Sequence, residues 1–527
     1  MDGGFGCRRG GREARRALRA APLEEAKRPV RPGLEGGRYK PLAEAELRRI
    51  HRAALDVLER IGVGNPIPSC VEACTAVGAT LDGRGRLRFP RALVEDTVVR
   101  AARLFPVVGR DPRHDMEPWG TRVYFGTAGA AVHVVDPATR AYRESELRDL
   151  YDAARLVDAL EHVHFFQRPL VPRDMTSSLE LDVNTAYACL AGTTKHIGTS
   201  FVRPEHLERT LPLLHRLAGG EAAWRARPFV SLSCCFVVPP LKWAEDACRV
   251  LEVAVRAGMP VLLLSAAQAG ATSPAALAGT VVQAVAECLA GLVYVNAIVP
   301  GAPAIFGPWP FVSDLRTGAM SGGSGEQGLL SAACAQMAQL YDLVGGVAAG
   351  MTDSKLPDAQ AGAEKAYTHA VVANAGANMV YEAAGMLASL LGFAHESLVI
   401  DNDIIGAVLR TLRGIEVDDE ALSVEVIREV CLEGPGHFLA ARQTLERMQT
   451  DYVYPLAGDR TSPKEWIELG STDVVERAAR KAREILGSHY PAHIDPVSDA
   501  FVRERLPIRL PREAMRPRVL PGKGAAA

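Results

Sequence analysis

A stretch of 57 residues, from Ala257 to Ser313, contains a single charged side chain, that of Glu287. Such a segment must lie in a deep core or in a membrane, because soluble proteins rarely expose large apolar surfaces. Six prolines and several Gln, Asn, Ser and Thr residues interrupt it. A membrane-spanning helix needs about 20 mostly apolar residues with few breaks. The segment therefore predicts a deep core and no membrane insertion.

The composition is that of a globular chain. Apolar residues make up 48% and charged residues 23% of the 527 residues, which excludes a wholly disordered protein. The formal net charge of −2 gives no global electrostatic basis for binding nucleic acid. The ten cysteines are scattered, without a C-x-x-C pair. We therefore expect reduced, buried thiols in a cytoplasmic protein, and no metal site.

Hydrophobic periodicity and charge divide the chain into five regions. An amphipathic helix over Leu42–Ile61 and a small hairpin around Asp82 precede a long region in which apolar strands and helices alternate. The predicted regions are a basic disordered tail (1–40), an N-terminal α+β cap (41–120), the alternating region (121–420), a helical C-terminal extension (421–507) and a second disordered tail (508–527).

The alternating region predicts an α/β fold. Its apolar strands, such as Val261–Leu264, show no polar alternation, which is typical of parallel strands covered on both faces. Repeated strand–helix units favour a TIM-type (β/α)8 barrel, and a doubly wound sheet is the alternative. The segment Leu292–Val299 is also expected to be an inner strand. One G-x-G-x-x-G match, at 323–328, ends a long loop instead of following a strand, so it does not indicate nucleotide binding.

Two loops that follow apolar strands concentrate ionisable side chains. Barrel enzymes carry their sites on loops at the carboxyl ends of strands, which draws attention to Gly307–Gly318 and Gly350–Gln360. The first loop ends the uncharged stretch and brings aromatic rings close to Asp314 and Arg316 in the sequence. The second gathers several charged residues after another apolar run. These loops are the predicted location of the functional site.

The same loops resemble the trimethylamine:corrinoid methyltransferase family, and the resemblance extends from about Leu42 to Pro491. It implies a TIM-type barrel and transfer of a methyl group from an amine nitrogen to the cobalt of a partner corrinoid protein. The corrinoid would be carried by that partner, since no D-x-H-x-x-G cobalamin signature occurs here. The runs that carry the resemblance are Pro300–Pro303, Asp314–Gly318, Gly350–Lys355, Asp358–Gly362, Glu364-Lys365, Ala375–Asn378, Leu398–Asp401 and Arg413–Ile415.

The resemblance also bears on the substrate. Archaeal trimethylamine enzymes of this family carry pyrrolysine, and this chain contains only standard residues. It is therefore similar to members that demethylate quaternary amines such as glycine betaine. A quaternary nitrogen is already positively charged, so Co(I) can displace a neutral amine in one SN2 step. The protein then has to orient, desolvate and hold the cation. Alternatives are a non-catalytic quaternary-amine-binding protein and a methyltransferase for trimethylamine or a sulfonium donor.

The candidate site residues follow from this chemistry. Aromatic rings bind quaternary ammonium groups, and a guanidinium group can hold a carboxylate through two hydrogen bonds. We expect catalytic roles for His369, Asp353 and Glu326. Core packing is the alternative for the aromatic residues, and a loop-bracing ion pair is the alternative for the arginine. The predicted substrate-binding residues are Tyr124, Phe125, Asn184, Trp309, Asp314 and Arg316.

The expected partners are a cognate corrinoid protein and a small quaternary amine, with no nucleic acid and no membrane. We also expect a homo-oligomer.

Overall fold

Eight parallel strands form the centre of the fold. A computed structural model describes residues 24–434 and 436–517. The eight strands are short and mostly buried, as expected for apolar runs covered by helices. They are β1 (Arg122–Phe125), β2 (Phe165–Gln167), β3 (His196–Thr199), β4 (Val230–Cys234), β5 (Val261–Ser265), β6 (Ala304–Pro308), β7 (Gly346–Ala348) and β8 (Met379–Tyr381).

The eight strands pair in chain order. Parallel ladders join β2 to β3, β3 to β4, β4 to β5 and β5 to β6. Two more parallel ladders join β7 to β8 and β8 to β1. Isolated parallel bridges, Gly126 with Phe165 and Phe306 with Gly345, connect the two sets of strands. The predicted α/β class is confirmed by this arrangement.

Each strand is followed in the chain by at least one helix before the next strand of the set. Side chains cap several of these helices: Ser177, Ser324 and Asp358 accept hydrogen bonds from backbone N–H groups in the first turn, which stabilises a helix start. The helices are Leu147–Ala159, Ser178–Gly192, Pro204–Ala218 with Glu221–Ala226, Glu245–Arg256, Leu277–Ile298, Gly325–Leu340, Ala359–Asn374 and His395–Arg413.

The uncharged stretch forms β5, the helix Leu277–Ile298 and β6. The prediction of an inner strand over Leu292–Val299 is wrong, since all but the last of these residues lie in that helix. The helix is covered on both sides, by strands and by the helices of the N-terminal region. A helix that is buried on all sides has no polar stripe and so lacks the helical pattern in its sequence. Its β-branched residues therefore led to the prediction of a strand. It is long and apolar enough to cross a membrane, but 78% of its most apolar window is buried within the protein.

Glu287, the single charge of that stretch, is fully buried. Its carboxylate accepts hydrogen bonds from the Ser265 hydroxyl (2.5 Å), the Leu241 N–H (2.8 Å) and the Gln283 amide (3.1 Å). Burial raises the pKa of Glu287, and these three donors oppose the rise. Through these hydrogen bonds Glu287 connects β5, this helix and the loop after β4.

The remaining elements surround this centre. The predicted helix near Leu42 and the hairpin near Asp82 are both present. The N-terminal helices are Glu44–Arg60, Pro68–Ala76 and Arg91–Arg100, and the C-terminal ones are Val424–Arg428, Glu429–Glu433, Arg442–Thr450, Pro463–Glu468, Val474–Ser488 and Pro496–Arg505. Short 3-10 turns are Glu25–Lys27, Pro112–His114, Phe438–Ala440 and Arg512–Met515. Short strands are Leu34–Glu35, Val63–Gly64, Thr80–Leu81, Arg86–Arg88, His133–Asp136, Ala141–Glu144, Val237–Val238, Lys242–Trp243, Gln268–Ala269, Phe311–Ser313, Met320–Ser321, Met386–Leu387 and Gly392–Phe393.

The structure differs from the prediction of disordered tails over 1–40 and 508–527. Leu34 pairs with Val123 of β1, and Leu510 is 1% exposed. The Arg512 guanidinium lies 2.6 Å from the Asp499 carboxylate. A few apolar side chains among many charges are enough to anchor these segments to the body. Residues 1–23 and 518–527 of the two predicted tails lie outside the described residues.

Candidate active site

A cavity of about 350 Å³ lies where the parallel strands end. Residues that end or directly follow six of the eight strands contribute to its walls, and this is where enzymes with such strands carry their sites. The wall residues used below are Gln167 at the end of β2, Arg168 after it, Ser200 after β3, Ser233 in β4, Trp309 and Phe311 after β6, Glu382 after β8, and Leu390.

A larger cleft of about 940 Å³ lies beside Arg122 and Tyr124, where β1 begins. Its walls are strongly charged, and many of the charges are already paired. Arg413, for example, lies 3.0 Å from Glu416 and 3.3 Å from Asp451. The smaller cavity instead combines aromatic rings with buried polar atoms that have no hydrogen-bond partner within residues 24–434 and 436–517. That combination is typical of a binding site for a small molecule, so we assign the site to the smaller cavity.

Glu382 supplies the carboxyl group of this cavity. It is 2% exposed, and its Oε2 atom has no hydrogen-bond partner among the described residues. Burial raises the pKa of Glu382 to about 8, and the positive charge of Arg168 opposes that rise. The residue also has a φ of +62°, which is uncommon for a side chain of this kind and tends to occur at functional sites.

Arg168 supplies the positive charge. Its Nε and Nη2 atoms donate hydrogen bonds to the Ser200 hydroxyl at 3.0 and 2.9 Å. Among the residues that the structure describes, no carboxylate lies within 4.0 Å of this guanidinium group, and Nη1 donates to no acceptor. Burial lowers the pKa of Arg168, and nearby negative groups including Glu382 oppose that shift. Arg168 and Glu382 therefore share one cavity without forming an ion pair.

Uncharged groups complete the cavity. The Trp309 Nε1 atom donates to the Gly346 carbonyl at 3.0 Å, and its ring lies 5.2 Å from the Tyr381 ring. This hydrogen bond and ring contact fix the indole in place. The Gln167 amide donates to the Ser233 hydroxyl at 3.0 Å, while its Oε1 atom lacks a partner among the described residues. The cavity walls thus combine ring surface with a buried amide oxygen that has no hydrogen-bond partner among the described residues.

Of the nine predicted site residues, Trp309 alone lines this cavity. Tyr124 lies by the larger cleft, where its hydroxyl accepts the Glu117 N–H at 3.1 Å. Phe125 is fully buried, 5.4 Å from the His369 ring. Asn184 holds the C-terminal segment, since its side chain donates to the Pro507 carbonyl (2.9 Å) and accepts the Arg509 N–H (2.6 Å).

The predicted acidic residues and Arg316 also lie outside the cavity walls. The Arg316 side chain lies 2.6 Å from the Asp314 carboxylate and is 88% exposed. This geometry is that of the alternative given for Arg316, an ion pair that braces the loop. The Arg316 side chain and backbone hold the pKa of Asp314 well below its usual range. Glu326 is exposed in the first turn of the helix Gly325–Leu340, where a negative charge is favourable.

Asp353 joins two loops near the cavity. Its carboxylate accepts hydrogen bonds from the Ser321 hydroxyl (2.7 Å), the Gly322 N–H (2.6 Å) and the Ser389 hydroxyl (2.6 Å). Leu390, the neighbour of Ser389, lines the cavity. Asp353 therefore supports a wall of the cavity without entering it.

His369 lies behind the cavity, in the layer between strands and helices. It is fully buried, and neither ring nitrogen forms a hydrogen bond with a described residue. Burial lowers the pKa of His369 to about 3, and the charge of Lys365 adds to this; the Ala383 backbone raises it slightly but lies outside hydrogen-bonding geometry. The ring fills the space beside Gly350, where an added Cβ would lie 2.0 Å from Nε2. The imidazole is therefore neutral at ordinary pH.

Sequence reasoning missed Gln167, Arg168 and Glu382. A usable signal exists for each, because polar residues directly follow apolar ones: Phe165-Phe166 precede Gln167 and Arg168, and Met379–Tyr381 precede Glu382. The same signal had drawn attention to Asp314. Over the described ranges 24–434 and 436–517, no group of three or more His, Cys, Asp or Glu side chains is arranged to hold a metal ion.

Fold and cavity together are those of an α/β protein with a candidate site at the carboxyl ends of parallel strands. Residues 8–506 match the family model described as Trimethylamine methyltransferase (MTTB). The chain therefore belongs to the trimethylamine methyltransferase family, and the prediction of a methyltransferase is confirmed at that level.

Two relatives in sequence agree with this assignment. The chain is 33% identical over 459 residues to the trimethylamine methyltransferase MttB of Desulfitobacterium hafniense (strain DSM 10664 / DCB-2), covering 87% of this chain and 91% of that one. It is 29% identical over 476 residues to the glycine betaine methyltransferase of Desulfitobacterium hafniense (strain Y51), covering 89% and 97%. Among solved structures, the Methanosarcina barkeri monomethylamine methyltransferase (MtmB) matches with a TM-score of 0.47 and 13% identity over 88% of this chain and 90% of that one.

Proposed function

We propose that this protein transfers a methyl group from a quaternary amine that also carries a carboxylate, such as glycine betaine, to Co(I) of a partner corrinoid protein. The observation that carries the proposal is the pair formed by Glu382 and Arg168. Both line one small cavity, and no ion pair within 4.0 Å joins them among the described residues, although the charge of Arg168 opposes the raised pKa of Glu382. A substrate with a positive and a negative group would satisfy both side chains. A glycine betaine methyltransferase among the relatives supports the same substrate class.

We also infer that the eight parallel strands form a TIM-type (β/α)8 barrel. Its support is the neighbour order, in which β8 pairs with β1 and single bridges link β1 to β2 and β6 to β7. The barrel would occupy 121–420, between the α+β cap (41–120) and the helical extension (421–507). In such a barrel the cavity is the usual position of an active site.

Glu382 would bind the cationic end of the substrate. In the empty cavity its raised pKa keeps the carboxyl group largely protonated at neutral pH. An arriving cation favours the ionised form, so binding would release a proton. Trp309 and Phe311 would add aromatic contacts, which contribute about 0.5–2 kcal/mol each to binding of an ammonium group. The methyl groups would then be held in a site with little water.

Arg168 would bind the carboxylate end. Two of its nitrogen atoms are held by Ser200, which fixes the plane of the guanidinium group. The Nη1 atom is left to donate to a substrate oxygen. Charge-assisted hydrogen bonds of this kind are stronger than neutral ones and depend on orientation. Arg168 would therefore set both affinity and the direction in which the ammonium group points.

This arrangement requires little further chemistry from the chain. The reduced corrinoid of the partner supplies the nucleophile. The C–N electron pair goes to nitrogen, so a neutral amine leaves and no proton has to be transferred to it. The residues of this chain bind, orient and desolvate the methyl donor. An opening of the cavity at the strand ends would give the partner access to the methyl group.

The decisive experiment mixes the purified protein with reduced candidate corrinoid proteins and follows the corrinoid absorbance. Glycine betaine is expected to cause methylation, and tetramethylammonium, which has no carboxylate, to be a poor donor. Trimethylamine and a sulfonium compound serve as alternative donors, and calorimetry reports binding separately. Binding of glycine betaine without transfer to any partner would support the non-catalytic alternative. Transfer from trimethylamine or the sulfonium alone would overturn the proposed substrate class.

A further inference from the structure

Two antiparallel hairpins follow the carboxyl ends of β6 and β8. The first spans 311–321 and the second spans 386–393. Phe311 in the first and Leu390 in the second line the candidate cavity, whereas Leu391, the neighbour of Leu390, is 62% exposed. The hairpins therefore form part of the wall that separates this cavity from the solvent.

The turn of the second hairpin has an unusual backbone conformation. Ala388, Ser389 and Leu390 have φ values of +50°, +52° and +74°. This left-handed conformation is unfavourable for residues with a Cβ and normally occurs at single positions. Every other non-glycine residue with a positive φ in the described ranges stands alone. We refer to residues 388–390 as the strap, whose backbone has to be held in place by surrounding contacts.

The loop after β7 holds the strap. The Ala388 N–H donates to the Ser354 carbonyl at 2.7 Å. The Ser389 N–H donates to the Thr352 carbonyl at 2.9 Å, and the Ser389 hydroxyl donates to the Oδ1 atom of Asp353 at 2.6 Å. Three hydrogen bonds to consecutive residues of one loop thus offset the unfavourable conformation of the strap.

Asp353 also joins the strap to the first hairpin. The oxygen that accepts from Ser389 accepts the Gly322 N–H at 2.6 Å as well, and the Oδ2 atom accepts the Ser321 hydroxyl at 2.7 Å. The N–H of Asp353 donates to the Glu364 carboxylate at 2.9 Å, which anchors the loop to the helix that follows it. One carboxylate thus connects both hairpins to a loop that is fixed on a helix.

Leu390, the last residue of the strap, packs against the buried cluster that contains Trp309 and Phe311. Release of the strap would relieve the unfavourable backbone conformation and would withdraw this side chain from the cavity wall. The backbone favours release and the hydrogen bonds favour closure, so a closed and an open arrangement of the strap can both be populated. Closing loops commonly exclude water from an active site and open again to release product.

We propose that Asp353 is a positioning residue that keeps the strap closed over a bound methyl donor, and that release of the strap lets the donor enter and the demethylated amine leave. The identity of the ligand rests on the proposed function. Asparagine distinguishes this role from that of a catalytic carboxylate, because it has no charge but keeps an oxygen for Gly322 and Ser389. The Ser321 hydroxyl can accept a hydrogen bond from the asparagine NH2 group. Asp353→Asn should therefore retain the closed strap, whereas Asp353→Ala should not.

The first test is hydrogen exchange in the full-length protein without ligand, followed by mass spectrometry on peptides that contain residues 388–390. Asp353→Ala and Ser389→Ala should each raise the exchange rate of these amides at least ~10-fold, and Asp353→Asn should stay within ~3-fold of the parent protein. Ala388→Gly should slow exchange ~3-fold, because glycine adopts a positive φ without steric cost. The control Ser488→Ala removes an exposed hydroxyl that donates to the Glu484 carbonyl, and it should leave exchange unchanged. Urea denaturation verifies that each variant retains its global stability.

Release of the ligand is the second measurement, followed by tryptophan fluorescence in stopped-flow experiments because Trp309 lines the cavity. Asp353→Ala should speed dissociation of glycine betaine at least ~10-fold, and Asp353→Asn should change it less than ~3-fold. Equal effects of the two Asp353 variants, or unchanged exchange in Ser389→Ala, would overturn the proposal. If Asp353→Ala does not fold, Ser389→Ala and Ala388→Gly decide the matter. A protein that binds no glycine betaine would refute the proposed substrate and leave the exchange results valid, so the two failures are distinguishable.

Discussion

The Nζ atom of Lys365 lies 2.6 Å from the Oδ2 atom of Asp401, and both side chains are 2% exposed. The same oxygen accepts the N–H of Gly385 at 2.7 Å, three residues beyond Glu382. Burial raises the pKa of Asp401, and Lys365 opposes that rise. The pair thus ties two helices, Ala359–Asn374 and His395–Arg413, to the loop that carries the carboxyl group of the candidate site.

Removing one member of this pair should be more harmful than removing both charges. In Lys365→Met the Asp401 carboxyl group stays buried without its partner, and we expect the free energy of unfolding to fall by about 3–5 kcal/mol. Lys365→Met/Asp401→Asn should recover much of that loss, because the amide can still accept from Gly385. Urea denaturation measures both. The control Lys464→Met removes an 86% exposed lysine and should change stability by less than ~1 kcal/mol. A double variant as unstable as the single one would contradict this account.

Substrate affinity should depend on pH through Glu382. Its pKa of about 8 in the empty cavity means that the ionised form grows about tenfold per pH unit below that value. Binding of glycine betaine, measured by calorimetry, should therefore strengthen from pH 6 to pH 8 and then level off, with release of a proton. Glu382→Gln should bind at least ~10-fold more weakly at pH 8, with no such dependence. A steep pH dependence retained in the glutamine variant would show that another group titrates.

Arg168 should discriminate between donors that have a carboxylate and those that do not. Loss of a charge-assisted hydrogen bond costs about 1.5–3 kcal/mol, so Arg168→Ala should weaken glycine betaine binding by about 10–150-fold. Binding of tetramethylammonium should change by less than threefold, because it has no group for the guanidinium to hold. Arg316→Ala is the matched control, since that arginine is exposed and paired with Asp314. Equal losses for both ligands in Arg168→Ala would mean that the residue acts on the cavity as a whole.

A variant of Asn184 can distinguish a structural role of this residue from the predicted role in substrate binding. Its side-chain hydrogen bonds within the described residues all go to backbone atoms of Glu180, Pro507 and Arg509. Asn184→Ala leaves these buried groups unsatisfied and should lower stability by about 1–3 kcal/mol. The KM for the methyl donor should stay within twofold of the original, measured on the folded protein. A selective rise in KM would restore the substrate-binding role.

The sequence was sufficient for the α/β class and for the order of most elements, because apolar strands and amphipathic helices leave distinct periodic patterns. It failed at Leu292–Val299, where a helix covered on all sides loses its pattern. The rule that sites lie on loops after strands pointed to the loop of Trp309, which lines the candidate cavity; the role of that cavity stays a prediction. Arg168 and Glu382 were missed because each stands alone after its strand, and only the assembled strands place them in one cavity. Asp314 and Arg316 drew attention as a charged cluster, yet that clustering lets them neutralise each other.

The raised pKa of Glu382 should also lower the free energy of unfolding as pH rises. Its pKa is raised from about 4.3 in an unfolded chain to about 8 in the folded protein. Between these values the folded state holds the proton and the unfolded state releases it. This contribution to stability is therefore complete below about pH 4 and is lost as pH rises through 8.

The variant Glu382→Gln has no proton to lose, so it should become more stable than the parent protein as pH rises from 5 to 8. We expect the difference to grow by about 3–4 kcal/mol between pH 5 and pH 8, measured as the free energy of unfolding in urea at each pH. The control Glu326→Gln removes an exposed carboxylate and should show no such trend. If Glu382→Gln gives a difference that is constant across this range, the buried carboxyl group is already ionised at pH 5. Glu382 would then bind the cation as a permanently ionised carboxylate, and binding would release no proton.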